Sequence, residues 1–177
     1  MLDDLTAGEV REAALLVSFF DLAGFARTAR SREAREVFDV CAGFFERTGG
    51  IIADGGGRLV KAIGDAGLAV FEDADTGVQT LLEVRQAGGE WFRTRGWPSQ
   101  VVVKAHYGPV VCGFVGAPGD KRFDVYGATV NTAAMVAAPD HGFAMTPQVF
   151  RKLRPETRAL FKKHTPPVTY IPAAARH

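Results

Sequence analysis

The sequence predicts an α+β fold built on an antiparallel β-sheet, and three observations support this prediction. The chain has 177 residues, of which 47% are hydrophobic and 23% charged, as in a globular protein with a sizeable core. Segments rich in β-branched and aromatic residues alternate with segments whose apolar residues recur every three or four positions. Glycine-containing breaks separate these segments. Because neither a repeat nor a linker is visible, residues 1–177 are predicted to form a single domain.

The first half of the chain has its predicted elements in the order β-α-β-β-α-β. Its strands are predicted at 14–22, 58–63, 68–71 and 100–105. A helix at 31–47, with Ser31 as its N-cap, and a second helix at 74–86 lie between them. This order is the split βαβ, or ferredoxin-like, arrangement. Beyond it, strands are predicted at 110–115, 123–126 and 168–171, and a helix at 128–138.

Charge and cysteine content disfavour several classes of protein. Lys and Arg total 21 and Asp and Glu total 20, so a net charge of +1 gives no reason to expect nucleic acid or an anionic membrane as a partner. The longest strongly apolar run, at 13–20, is too short to cross a bilayer, and the acidic N-terminus is unlike a secretory signal. Two cysteines cannot form a framework of disulfides, which favours a cytoplasmic location.

The predicted topology brings two carboxylates to one edge of the sheet. Asp21 ends the first strand, and Asp65 lies in the turn that ends the second. In a split βαβ unit these strands run parallel, so their C-terminal ends share an edge. Neighbouring carboxylates repel unless cations lie between them, and their oxygens favour hard ions such as magnesium or manganese. Considered singly, Asp21 as a helix cap and Asp65 as a turn residue are equally good interpretations.

Four segments carry a family resemblance. They are FFDLAGF at 19–25, VKAIGDAGLAVF at 60–71, HYGPVVCGFVG at 106–116 and FDVYGATVNTAA at 123–134. In this order and spacing they resemble the catalytic domain of class III adenylate/guanylate cyclases, from about residue 15 to residue 171. The resemblance implies conversion of ATP to 3′,5′-cyclic AMP and pyrophosphate by a two-metal mechanism. It also implies a head-to-tail homodimer, whose two subunits both contribute to each site.

The resemblance implies a metal and phosphate half of the site. Asp21 and Asp65, helped by the backbone carbonyl of Leu22, would hold two Mg²⁺ or Mn²⁺ ions per site. The backbone at Gly24 and Phe25 would approach the nucleotide phosphates, which requires free N–H groups in a tight turn.

The other half of the implied site binds the base and the ribose. Lys61 would donate to N1 of adenine and Asp124 would accept from its exocyclic amine, whereas guanine presents the reverse pattern. Asn131 would position the ribose, and Lys162 would contact the terminal phosphates.

One residue departs from the family pattern. The family usually places an arginine four residues after the ribose asparagine, and this chain has Met135 there. Losing one preorganised charge donor costs about 100- to 1,000-fold in rate. Either a cation of the segment Lys121–Arg122 substitutes, or the enzyme is weak; Met135 by itself would also fit a core methionine.

Two other functions compete with the cyclase as interpretations of the sequence. A catalytically silent nucleotide-binding or regulatory domain is the alternative that Met135 suggests. A ferredoxin-like nucleic-acid binder is disfavoured, because residues 68–71 lack the basic, aromatic character of an RNA-binding strand.

Overall fold

A computed structural model describes residues 4–6, 8–138 and 142–174. The elements in this part of the chain are, in order, β1 (Val10–Ala23), α1 (Phe25–Ala29), α2 (Ala34–Asp54), β2 (Gly57–Ile63), β3 (Ala66–Phe71), α3 (Ala74–Arg93), β4 (Gln100–Ala117), β5 (Asp120–Tyr126), α4 (Ala128–Met135), β6 (Phe143–Met145), α5 (Pro147–Phe150), α6 (Pro155–Arg158), β7 (Phe161–His164) and β8 (Thr169–Pro172).

The described strands form one eight-stranded sheet in the order β2-β3-β1-β4-β6-β8-β7, with β5 also paired to β4. The pairs β2–β3, β3–β1 and β1–β4 are antiparallel, so β1 and β2 run parallel with β3 between them. This confirms the predicted α+β fold and its split βαβ core. It also means that β1 and β2 end on the same side of the sheet, although they are not neighbouring strands.

Alternating side chains of β1 divide the core into two layers. Leu16 and Phe20 pack with α2 and α3, where aromatic rings such as Phe44 and Phe92 fill the interior. Val17, from the opposite set, packs with residues of β3, β4, β5 and α4 on the other side of the sheet. We call these two sides the α2–α3 face and the α4 face. The β4–β5 hairpin folds over the α4 face.

The two long helices extend past their predicted ends at residues 47 and 86. Helix α2 continues through Gly49 and Gly50 to Asp54, and α3 continues through Gly88 to Arg93. A Cβ at Gly88 would lie 2.7 Å from Val101 and 2.8 Å from Phe44, so this glycine lets α3 pack closely against its neighbours. Tertiary packing therefore outweighs the low helix propensity of glycine.

Other predicted boundaries were also wrong. Helix α2 begins at Ala34 after Glu33, and the hydroxyl of Ser31 donates instead to the carbonyl of Thr28. The strands predicted at 100–105 and 110–115 are one continuous strand, β4, because β1 pairs with it along most of its length. Helix α4 ends at Met135 rather than at 138. Within the described residues, no helix combines the length and the apolar character needed to cross a membrane.

Candidate active site

The hairpin register brings Asp21 and Asp65 to the same edge of the sheet. Asp65 lies in a two-residue turn between β2 and β3, whose first residue, Gly64, has a φ of +63°. Glycine at this position is typical of a tight hairpin turn. Gly67 of β3 pairs with Phe20 of β1, the residue before Asp21. The turn therefore lies beside the end of β1, as the topology predicted.

Each carboxylate has a distinct neighbour. Lys104 of β4 places its Nζ 3.4 Å from Oδ2 of Asp21, and the two side chains are 25% and 39% exposed. Asp65 is half-buried and lies close to the thiol of Cys41 in α2. Burial raises the pKa of Cys41, and the charge of Asp65 raises it further. Both effects favour the protonated thiol.

Lys104 was not among the site residues predicted from the sequence. The signal was present in its strand, where Lys104 stands between Val103 and Ala105, both fully buried on the α2–α3 face. Strand alternation turns the lysine side chain toward the opposite face, which also carries Asp21. Only the register of β1 and β4, in which Phe19 pairs with Lys104, shows how close the two charges are.

The second half of the predicted site centres on an ion pair between Lys61 and Asp124. Lys61 Nζ lies 2.6 Å from Asp124 Oδ2. The same carboxylate accepts hydrogen bonds from the backbone N–H of Val125, at 2.8 Å, and from the hydroxyl of Tyr126, at 3.2 Å. Lys61 is 41% exposed and Asp124 only 14%. The pair therefore lies at the surface, and hydrogen bonds hold the Asp124 carboxylate in place. Tyr126 was not among the predicted site residues.

A β-bulge in β2 turns Lys61 toward Asp124. Leu59 pairs with Ala69, but Lys61 pairs with Leu68, so β2 contains one extra residue between them. Leu68 belongs to the α4 face and Ala69 to the α2–α3 face. Regular alternation would turn residue 61 to the same face as Leu59, and the bulge moves it to the other.

The Gly24–Phe25 turn starts α1. Gly24 precedes the helix with a φ of +82°, in the left-handed region that favours glycine. The ring of Phe25 is buried and stacks on Trp97, with centroids 5.2 Å apart and planes 16° apart. This contact anchors the side chain in the core and leaves the turn backbone at the edge of the sheet.

Helix α4 exposes one face and buries the other. Thr129 and Ala133 are buried, and the hydroxyl of Thr129 donates to the carbonyl of Pro109 at 2.6 Å. Asn131 and Met135 are one turn apart on the exposed face, and Met135 is 84% exposed. The interpretation of Met135 as a core methionine was therefore wrong.

The remaining predicted cations lie on strands. Lys162 is half-buried in β7, where it pairs with Ile171 of β8. Lys121 and Arg122 belong to the regular strand β5, which begins at Asp120 rather than at the predicted residue 123. Arg122 forms an ion pair with Asp120, at 3.2 Å, on the exposed end of the hairpin.

The oxygen atoms of Asp21 and Asp65 fit a hard divalent ion whose other ligands come from outside the protein. Asp21 and Asp65 offer carboxylate oxygens, and Leu22, the third residue of the predicted set, follows Asp21 directly in β1. Among the residues that the structure describes, no cluster of three or more His, Cys, Asp and Glu side chains could hold a metal ion. The remaining ligands of such an ion would have to be water or oxygens of a bound substrate.

The fold and these motifs define a nucleotidyl cyclase domain. Residues 9–165 match the family described as the adenylate and guanylate cyclase catalytic domain, and the chain belongs to this family. It is 30% identical over 132 residues to an adenylate cyclase of Streptomyces coelicolor, covering 73% of this chain and 31% of that protein. It is 34% identical over 125 residues to an adenylate cyclase of Glutamicibacter nicotianae, covering 69% and 27%.

A solved bacterial light-regulated adenylyl cyclase has a similar fold, with a TM-score of 0.82 and 22% identity over 96% of this chain and 54% of that one. The chain thus spans less than a third of the two relatives and about half of the solved chain. The suspected membership of the class III cyclase family is confirmed.

Proposed function

We propose that the domain is an adenylate cyclase, which converts ATP to 3′,5′-cyclic AMP and pyrophosphate. The observation that carries the proposal is the ion pair of Lys61 and Asp124, which presents a hydrogen-bond donor beside an acceptor. Adenine offers an acceptor at N1 beside the donor of its exocyclic amine, which matches this pair. Guanine offers a donor at N1 and an acceptor at O6, so it would leave both protein groups opposed to groups of their own kind.

Asp21 and Asp65, with the carbonyl of Leu22, are the proposed ligands of two Mg²⁺ or Mn²⁺ ions. Such ions, when bound, lower the pKa of the attacking 3′-hydroxyl and neutralise charge on the leaving pyrophosphate. The protein contributes two carboxylates on elements that the sheet holds in register. Lys104 beside Asp21 offsets part of their mutual repulsion before any ion binds.

Three further elements would orient the nucleotide. The backbone N–H groups of the Gly24–Phe25 turn would bind phosphate oxygens, and Lys162 would contact the terminal phosphates. Asn131 projects from the exposed face of α4 and would position the ribose. Orienting the 3′-oxygen toward the α-phosphorus accounts for much of the rate enhancement in reactions of this kind.

A head-to-tail homodimer would complete the site. In this assembly the metal half of one subunit meets the base and ribose half of its partner, giving two equivalent sites. Exposed apolar side chains support an interface along β4, β5 and α4. The side chains are Val111 (38% exposed), Val115 (50%), Tyr126 (52%) and Met135 (84%).

The exposed Met135 favours a second candidate function, a catalytically silent nucleotide-binding or regulatory domain. The side chain lies on the same face as Asn131, where the family's arginine would meet charge on the α-phosphate, and it carries no charge. As an enzyme, the domain would therefore be slow.

Product analysis separates the two candidates. We expect the purified protein, incubated with Mn²⁺ and ATP or GTP, to form cyclic AMP in excess over cyclic GMP, as measured by mass spectrometry. Asp65→Ala and Asp21→Ala are matched controls that should form no cyclic nucleotide and remain folded by circular dichroism. ATP binding without any cyclic product would support the silent domain. Most of the activity remaining in either aspartate variant would contradict the two-metal site.

A further inference from the structure

Lys104 contacts a carboxylate that the proposed function assigns to metal binding. Its Nζ lies 3.4 Å from Oδ2 of Asp21, across the β1–β4 pair. The register places Lys104 opposite Phe19 and Asp21 opposite Val102, so the two charged residues are diagonal neighbours on one face of the sheet. Diagonal neighbours on adjacent strands are within reach of a long side chain.

The position of Lys104 distinguishes it from a solvated surface lysine. Its side chain is 25% exposed, and its backbone carbonyl accepts a hydrogen bond from the buried hydroxyl of Ser18 at 3.1 Å. The strand is therefore fixed at this point, whereas the four-carbon stem of the lysine keeps its rotational freedom. A single ion pair that stays partly exposed to solvent contributes little to folding. Another role would explain a cation at this point better than fold stability does.

A divalent ion and the Lys104 ammonium cannot both stay beside Asp21 without strong repulsion, because two cations would share one carboxylate. An ion that binds Asp21 must either displace the ammonium or bind more weakly because the ammonium repels it. A displaced ammonium on a flexible stem is free to pair with another anion, and the phosphate chain of a bound nucleotide would supply one.

We propose that Lys104 is a substrate-binding residue that exchanges between Asp21 and a nucleotide phosphate. Without nucleotide it neutralises Asp21 and competes with the divalent ion. With metal and nucleotide present it donates to a phosphate oxygen from the metal half of the site. Lys104 thereby supplies a cation to a site in which the uncharged Met135 replaces the family's arginine. The inference rests on the proposed function, since it takes Asp21 as a metal ligand.

The exchange predicts opposite effects of a single substitution on two binding constants. Lys104→Met keeps the length of the side chain and removes its charge. Without nucleotide, we expect this variant to bind Mn²⁺ about three- to tenfold more tightly, because the competing cation is gone. For the Mn²⁺ complex of α,β-methylene-ATP, which cannot be cyclised, we expect affinity about tenfold weaker, because a phosphate contact is lost.

Calorimetry and the electron paramagnetic resonance signal of free Mn²⁺ measure both constants without catalysis. Lys104→Arg should restore most of the nucleotide affinity, since it retains a cation. Lys163→Met, an exposed lysine on β7, is the matched control and should change neither constant. A thermal melt checks that each variant is folded.

Each outcome supports or overturns the exchange. Opposite shifts in the two constants support it. Unchanged constants, or a loss of both, overturn it and leave Lys104 with a structural role. A further outcome is that the two binding constants of Lys104→Met differ from those of the unmodified protein in the expected opposite directions while the unmodified protein forms no cyclic nucleotide. In that case the exchange stands and the proposed catalytic function fails. If the unmodified protein binds neither probe at millimolar concentrations, both fail.

Discussion

Lys61 Nζ lies 2.6 Å from Asp124 Oδ2, and the contact depends on the one extra residue that the bulge adds to β2. The bulge turns Lys61 onto the α4 face, over which the β4–β5 hairpin folds. A second contact ties the same two elements together, since the guanidinium of Arg58 lies 4.1 Å from the ring centroid of Phe123. The proposed base-reading pair is thus built where an edge strand meets a hairpin from a distant part of the chain.

The first prediction concerns the choice of base. Lys61→Glu combined with Asp124→Cys should shift the preference from ATP toward GTP, because the donor and acceptor positions are exchanged. A mismatched buried group costs about 1–3 kcal/mol, so the ratio of kcat/KM values for the two nucleotides should change at least tenfold. Competition assays with both nucleotides measure this ratio. Equal turnover of ATP and GTP by the unmodified protein would remove the basis for assigning base recognition to this pair.

The second prediction tests whether the site forms between subunits. Asp65→Ala removes a residue of the metal half, and Lys61→Ala removes a residue of the base half. Each variant alone should be inactive, but a mixture should regain activity because one of the two sites in a heterodimer is intact. Statistical mixing limits recovery to about a quarter of the unmodified rate per total protein.

The complementation test needs evidence of subunit exchange. Two affinity tags and a pull-down show whether mixed dimers have formed. Mixed dimers without activity would indicate that the metal and base halves of one chain serve the same site. A mixture of two metal-half variants, Asp21→Ala and Asp65→Ala, is the matched control and should stay inactive.

Much of the fold and of the site's layout could be predicted from the sequence, because both depend on local patterns. The content of β-branched and aromatic residues identified β1 and β3, and the turn at Gly64 placed Asp65 beside the end of β1. The features that could not be predicted depend on packing between residues far apart in the sequence. The continuation of α3 through Gly88 is set by Phe44 and Val101, which lie on other elements. The bulge and the neighbourhood of Lys104 appear only in the pairing of strands.

The third prediction concerns stability and pH at the start of α3. The carboxylate of Asp73 accepts a hydrogen bond from the backbone N–H of Thr76 at 2.8 Å, which lowers the pKa of Asp73. Because the folded state has the lower pKa, its stabilising effect is present above the unfolded value and is lost as pH falls through the folded one. Asp73→Ala should reduce the free energy of unfolding by about 0.5–2 kcal/mol at pH 7.

Urea titrations at several pH values measure this effect. The difference between Asp73→Ala and the unmodified protein should shrink as the pH falls from about 4, the usual pKa of an unfolded aspartate, through the lower pKa of the folded state. Asp73→Asn should keep most of the stability at pH 7, because asparagine is also a good N-cap, but should lose the pH dependence. Equal stability of Asp73→Ala and the unmodified protein at neutral pH would show that the cap contributes nothing.

The last prediction concerns Met135, which is 84% exposed at the end of α4. Met135→Arg should fold normally, because the side chain occupies no core space and a cation at a helix C-terminus is favourable. The guanidinium would lie one turn beyond Asn131, on the same exposed face. It would meet charge that grows on the α-phosphate only during the reaction, so kcat should rise about tenfold or more with little change in KM.

Ala134→Arg is the control for Met135→Arg, because it adds the same charge to α4 at an exposed position that points about 100° away from residue 135. Steady-state kinetics with ATP and Mn²⁺ should show the rise in kcat for Met135→Arg alone. A similar rise in both variants would indicate a general electrostatic effect on nucleotide binding, and KM should then fall as well. If kcat stays unchanged in a folded, dimeric Met135→Arg protein, Lys104→Met identifies the reason. A fall in kcat at saturating ATP in Lys104→Met, beyond the rise in KM expected from its lost phosphate contact, would show that a cation from the metal half already stabilises the transition state, so that a second one at residue 135 adds nothing.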